Sequence, residues 1–312
     1  LVLLGIAWLA LRTPDIPVAT LRAKYGNAAS QYVEVAPGTV IHLRDEGPRT
    51  GFPVVLMHGS NASLHTWEPW VQRLTARGYR VISFDFPAHG LSGPVPSRDY
   101  SNEAYVGITE KVVDRLGLQR FALGGNSMGG GVAWRYAVRH PERLAALVLV
   151  DASGQPAPKG QDLPLGFRIA RTPLARGLVA SVTPRSIIDR SLRQSVSVQS
   201  IVTPAMVDRY WELLLYPGTR EATLDRFAGY KHATDAEGTR LRTLTVPTLV
   251  LWGREDRLIP VSSAAWFSQQ LPNARVTILD NVGHIPMEEV PDRSLAPVLA
   301  LLETVNAART PG

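Results

Sequence analysis

Gly124-Gly125-Asn126-Ser127-Met128-Gly129-Gly130 carries more structural information than any other stretch of the chain. Gly125, Ser127 and Gly129 stand at the defining positions of a Gly-x-Ser-x-Gly elbow. The apolar run Arg120-Phe121-Ala122-Leu123 precedes it, and the helix-forming run Val132-Ala133-Trp134-Arg135-Tyr136-Ala137 follows. Strand, tight turn and helix form the context that this motif requires. Such a turn strains the backbone at its centre and needs small neighbours, because a Cβ would clash. It lifts the serine oxygen clear of the sheet, just before a helix whose first amides can stabilise an anion. The competing reading of Ser127 is a helix N-cap on a glycine-rich turn.

Outward from the elbow, short β-branched runs alternate with helical stretches. Val54-Val55-Leu56-Met57, Val81-Ile82-Ser83-Phe84, Leu147-Val148-Leu149-Val150 and Thr248-Leu249-Val250-Leu251 do not alternate in polarity, as expected of buried parallel strands. Helices are predicted over 67–77, 102–116 and 132–140. Gln31 to Val35 and Thr39 to Arg44 alternate with period two around Pro37-Gly38, which predicts a hairpin. The fold class is α/β, a doubly wound, mostly parallel sheet covered on both faces. From Gly154 to about Arg240 no strand-like run occurs, and prolines separate short amphipathic pieces (186–192, 204–215, 220–227). This stretch reads as an inserted helical cap. The expected division is 1–12 apolar segment, 13–29 polar connector, 30–153 first part of the core, 154–240 cap, and 241–312 second part of the core.

With 312 residues, 45% hydrophobic and 19% charged, the chain can bury an ample core. It has no cysteine, which excludes disulfides, thiolate metal sites and a cysteine nucleophile. The net charge of +6 is spread over scattered arginines rather than a stripe, so nucleic acid is not an expected partner. The histidines are dispersed, and neither a metal nor a cofactor is expected. Leu1 to Leu11 is continuously apolar and ends at Arg12-Thr13-Pro14. Eleven residues are fewer than the roughly 20 needed to cross a bilayer. The run has no polar face and is read as the end of a membrane anchor or signal segment that continues upstream. That reading predicts membrane association and a place in the bacterial cell envelope, against a cytoplasmic alternative in which the run is a buried helix.

A serine nucleophile needs a base, and the base needs a group to hold it. In a doubly wound sheet all three belong just past the C-terminal ends of strands. Ser127 meets this condition, as do Asp256 after 248–251 and His284 after 276–279. Glu255 and Asp151 are rivals for the acid. Two backbone donors are needed for an oxyanion: the Met128 amide, and one from His58-Gly59-Ser60-Asn61, with Ser60 first and Asn61 second. Asn61 and Trp67 are also candidates for touching substrate, although Trp67 and Trp70 read first as core. His58 and His89 read as loop braces.

Taken in order, His58-Gly59, Asp85-x-Pro87-x-His89-Gly90-x-Ser92, Gly125-x-Ser127-x-Gly129-Gly130, Gly253-x-x-Asp256 and Gly283-His284 resemble the α/β-hydrolase superfamily over roughly residues 30–308. The resemblance implies a Ser127–His284–Asp256 triad that works through an acyl-enzyme without a cofactor. The expected substrate is a small to medium carboxylic ester. The alternative is a carbon–carbon hydrolase of aromatic ring-cleavage pathways, which the wording around Ser127 and Gly253-Arg254-x-Asp256-Arg257 resembles. Ser60-Asn61, in place of a Gly-Gly-Gly-Pro type of loop, and Ile285, in place of a tryptophan, depart from that group. A non-catalytic ligand-binding protein on the same fold is the reading of another class.

Overall fold

The computed structural model describes residues 11–156, 171–172, 176–177 and 180–307. Its strands are β1 (Ser30–Ala36), β2 (Thr39–Glu46), β3 (Pro53–Met57), β4 (Arg80–Phe84), β5 (Phe121–Asn126), β6 (Leu144–Val150), β7 (Thr248–Gly253) and β8 (Ala274–Leu279). They form one eight-stranded sheet in the order β1-β2-β4-β3-β5-β6-β7-β8. β1 and β2 are the expected hairpin, with Ser30 opposite Arg44, and β2 runs antiparallel to β4. All other neighbours are parallel. β6 contains no polar residue and is buried along its whole length, which requires cover on both faces.

That cover comes from helices on each side. Successive side chains of a strand point to opposite faces. Val55 and Met57 of β3 therefore join one core cluster, and Val54 and Leu56 join the other. The first cluster packs under α3 (Asn102–Arg115), α4 (Met128–Arg139) and α9 (Ser262–Gln270); the second packs under α2 (Glu68–Thr75) and α10 (Pro291–Ala307). Ser101 starts α3 by accepting a hydrogen bond from the Ala104 amide at 3.2 Å. Helix α4 begins at Met128, four residues before the predicted 132–140, because the elbow turns directly into it.

Among the described residues between β6 and β7 there is no strand. The helices there are α5 (Arg185–Ser195), α6 (Pro204–Leu214), α7 (Thr219–Gly229) and α8 (Asp235–Arg240). The first three fall on the expected amphipathic pieces. The fourth was not foreseen; its signal is the capping box of Thr234 and Glu237.

The stretch read as a polar connector is docked on this helical layer. Its helix α1 (Val18–Tyr25) buries Leu21 completely. The Ile16 amide donates to Leu215 O at 2.9 Å, and Lys24 and Tyr25 donate to Glu212 at 2.7 and 2.8 Å. The apolar segment expected to be an anchor lies outside the described residues, apart from Leu11. No helix among the described residues is long and apolar enough to cross a membrane.

Candidate active site

The C-terminal ends of the parallel strands gather the expected residues at one edge of the sheet. Ser127 follows β5 directly, with φ +53° and ψ −117°, a left-handed conformation that a side chain rarely adopts. Its amide donates to Val150 O at 3.0 Å, and its carbonyl accepts from the Ser153 amide at 2.9 Å. Both neighbouring glycines are obligatory on steric grounds. A Cβ at Gly129 would overlap Met57 O, and one at Gly125 would overlap Gly129 O.

Asp256 and His284 form a pair. The imidazole Nδ1 lies 2.7 Å from Asp256 Oδ2, and both residues are buried. Asp256 Oδ1 accepts from the Leu258 and Ile259 amides at 2.8 and 3.0 Å, which fixes the carboxylate. With Nδ1 donating to an acid, Nε2 is left as the basic nitrogen. The Ser127 hydroxyl makes no hydrogen bond among the described residues, so the nucleophile–base contact is the one link of the expected triad that is not closed. Such contacts are often long before substrate arrives.

Asn126 ties the halves of the site together. Its Nδ2 donates to Val150 O at 3.2 Å and to His284 O at 3.0 Å. Glu255 accepts from the Val282 amide at 2.9 Å and therefore shapes the loop rather than serving His284. Asp151, the other rival, accepts from the Gly253 amide at 2.9 Å. Burial, and then the charge of Asp256, push its carboxyl well above the usual range.

The loop after β3 carries the expected oxyanion donors. Neither the Ser60 nor the Met128 amide has a hydrogen-bond partner among the described residues. A Cβ at Gly59 would lie 3.1 Å from Ser127 Cβ, so this loop borders the nucleophile. His58 braces it as expected, with Nδ1 2.7 Å from Gly59 O and Nε2 accepting from the Phe86 amide at 3.0 Å. Beneath it, buried Asp85 accepts from the Leu64 and Leu91 amides at 2.7 and 2.9 Å and pairs with His42 at 2.7 Å. Burial alone would raise Asp85; the hydrogen bond from His42 and the neighbouring imidazoles instead hold it well below the usual carboxylate range.

One sequence candidate is corrected. Trp67 has no accessible surface and packs 5.1 Å from Trp70 in the second core cluster. A side chain with no accessible surface lines no open pocket, so Trp67 is core. Asn61 is exposed at the mouth of the site, with φ +57°.

Several residues escaped the sequence reading. Arg226 of α7 donates to Ser60 Oγ at 2.6 Å and to Asn61 Oδ1 at 2.8 Å, and it approaches Met128 Sδ at 3.6 Å. It pairs with no carboxylate among the described residues, and burial pushes its guanidinium down from its ordinary value. Glu289 accepts from the Gly283, Ser197 and Val198 amides at 2.9, 2.8 and 3.1 Å, and the His284 amide donates to Ser195 O at 2.8 Å. The histidine loop is thereby fastened to the segment after α5. Nothing in the local sequence of the helical layer marks these contacts, because they depend on how it packs over the sheet. Asn126 did stand inside the quoted elbow motif.

Residues 53–291 match the family described as alpha/beta hydrolase fold. The chain is 29% identical over 254 residues to a 2-hydroxymuconate semialdehyde hydrolase of Pseudomonas sp. (strain CF600), covering 80% of this chain and 86% of that protein. It is 31% identical to a 2-hydroxy-6-oxononadienedioate/2-hydroxy-6-oxononatrienedioate hydrolase of Cupriavidus pinatubonensis, covering 85% of this chain and 92% of that protein. Among solved structures, the crystal structure of a membrane phospholipase A superimposes with a TM-score of 0.73 at 27% identity, over 93% of this chain and 91% of the other. The names of the curated relatives favour the carbon–carbon alternative over the expected carboxylic ester.

Proposed function

The chain belongs to the α/β-hydrolase family, and within it we propose a serine hydrolase that cleaves a carbon–carbon bond in an anionic 2-hydroxy-6-oxodienoate type of substrate. The observation that carries the catalytic part is the buried Asp256–His284 hydrogen bond of 2.7 Å, at the sheet edge where Ser127 is held in a strained elbow. In this reading His284 Nε2 takes the Ser127 proton as the serine oxygen adds to the keto carbon. Asp256 keeps the imidazole oriented and stabilises its charged form. The free amides of Ser60 and Met128 receive the oxyanion. The substrate's 2-hydroxyl proton moves to the carbon beside the keto group before attack, so that collapse breaks the carbon–carbon bond and leaves its electrons delocalised onto the 2-oxo oxygen, which takes the proton from the imidazolium. Water then releases the acid from Ser127. The net reaction adds one water and yields a shorter 2-hydroxydienoate and a carboxylic acid.

The names of the curated relatives support this substrate class. Arg226 supports an anionic one, because a cation beside the elbow has only neutral partners among the described residues. Ester cleavage is the second reading. Ser60-Asn61 and Ile285 favour it, as does the likeness to a protein named as a phospholipase. The same machinery serves both, because each reaction forms an oxyanion on a carbonyl carbon. Parallel turnover of a 2-hydroxy-6-oxodienoate and of p-nitrophenyl esters tests the proposal. A dienoate kcat/KM above that of the esters, lost in Ser127→Ala, is the expected result; ester turnover with no dienoate cleavage would establish the second reading.

A further inference from the structure

Two carboxylates, rather than one, stand beside His284. One oxygen of Asp151, one of Asp256 and one ring nitrogen of His284 lie within 4.8 Å of one another, and all three residues are buried. Both oxygens of Asp256 are engaged, Oδ1 with two amides and Oδ2 with His284 alone, which leaves Oδ2 able to accept one more donor. Asp151 is only half engaged. Its Oδ1 accepts from the Gly253 amide, while its Oδ2 is buried without a hydrogen-bond partner. Its backbone is pinned in a left-handed conformation, φ +45°, with its amide donating to Leu251 O at 3.0 Å, so the carboxyl is held where it is.

A buried ionised oxygen with no donor is costly, and two neighbouring ionised carboxylates repel. One proton on Asp151 Oδ2 removes both costs, because it turns an orphaned acceptor into a donor in a carboxyl group that lies within 4.8 Å of an Asp256 oxygen. We propose that Asp151 is a positioning residue: it keeps a proton in the resting enzyme and donates a hydrogen bond to Asp256, fixing the carboxylate that orients His284. The titratable groups facing Asp151 are Asp256, His284 and Glu289. Burial and the two neighbouring acids act in the same direction, against the Gly253 amide. No proton passes through Asp151 during turnover; the mobile proton travels between Ser127, His284 and the leaving group. The inference rests on the Ser127–His284–Asp256 reading above.

The test has two arms. Infrared spectra of the folded proteins are recorded first, and they need no activity. The wild type is expected to show the carbonyl stretch of a buried protonated carboxyl, and Asp151→Asn to lack it. Phosphonylation of Ser127 by a fluorophosphonate is then followed against pH. Asp151→Asn offers the same donor and acceptor, so it should react within about threefold of wild type with the acid limb of the profile unmoved. Asp151→Ala removes the donor and should react about tenfold or more slowly. A missing band overturns the proposal, as does Asp151→Ala reacting like wild type. So does an acid limb displaced downward by about one pH unit or more in Asp151→Asn, the result expected if an ionised Asp151 had been favouring the imidazolium of His284. Failure of wild-type Ser127 to react at all would count against the triad reading and leave the infrared result to decide the protonation of Asp151.

Discussion

Ser127 occupies φ +53° and ψ −117°, a region that costs of order 1–3 kcal/mol for a residue with a side chain. The surrounding hydrogen bonds to Val150 and Ser153 hold it there, which separates the stability of this position from its chemistry. Ser127→Ala should fold normally, with turnover reduced by about 10⁶. Ser127→Gly should be as inactive, yet unfold at a higher temperature, because glycine relieves the strain. Both are read by kcat and by thermal melting. Asp256→Asn should lower turnover by roughly 10⁴ in a folded protein, since the carboxamide favours the wrong imidazole tautomer. Asp256 and His284 were legible in the sequence because each sits at a fixed offset beyond an apolar run. The protonated state proposed for Asp151 was not, since it depends on a distance across two strands.

Among the elements, β5 and α4 were the easiest to foresee, while α7 was readable as an amphipathic piece and only its placement was hidden. The apolar runs of the parallel strands are continuous, and their glycine-rich ends have one steric explanation each. Gly129→Ala is expected to cost about 1–3 kcal/mol, because α4 cannot approach β3 with a Cβ against Met57 O; chemical denaturation checks this. The helices between β6 and β7 were readable as pieces, but their placement was not, since short amphipathic helices carry no record of what they pack against. Arg226 shows what was lost: its sequence neighbours are ordinary, and only the packing of α7 over Ser60 and Asn61 gives it meaning. Arg226→Gln should raise KM for an anionic dienoate about tenfold or more while changing KM for a neutral ester by less than about threefold. Equal effects on both substrates would assign Arg226 to loop positioning rather than to anion recognition.

For the whole molecule, buried imidazoles link stability to acid. Burial holds His65 down to about 4, against an ordinary value of 6.5, and lowers His58 and His89 as well. Between those values the unfolded chain binds more protons than the folded one. The stability His65 contributes is therefore complete above about pH 6.5 and is lost as pH falls toward about 4, and the lowered His58 and His89 act in the same direction. Asp85, held low, adds a further loss below the ordinary carboxylate range. Thermal midpoints should fall steadily through that window. Removing residues 1–25 should lower the midpoint, because Leu21 and the bonds to Leu215 and Glu212 go with them. The claim on which the rest depends is that Ser127 is the nucleophile activated by His284. Peptide mass spectrometry after fluorophosphonate treatment tests it most directly. The account predicts one adduct per chain, on Ser127, absent in Ser127→Ala and formed at least about 10³ times more slowly in His284→Ala. A folded wild-type protein that takes up no adduct, or takes it up on another residue, would contradict it.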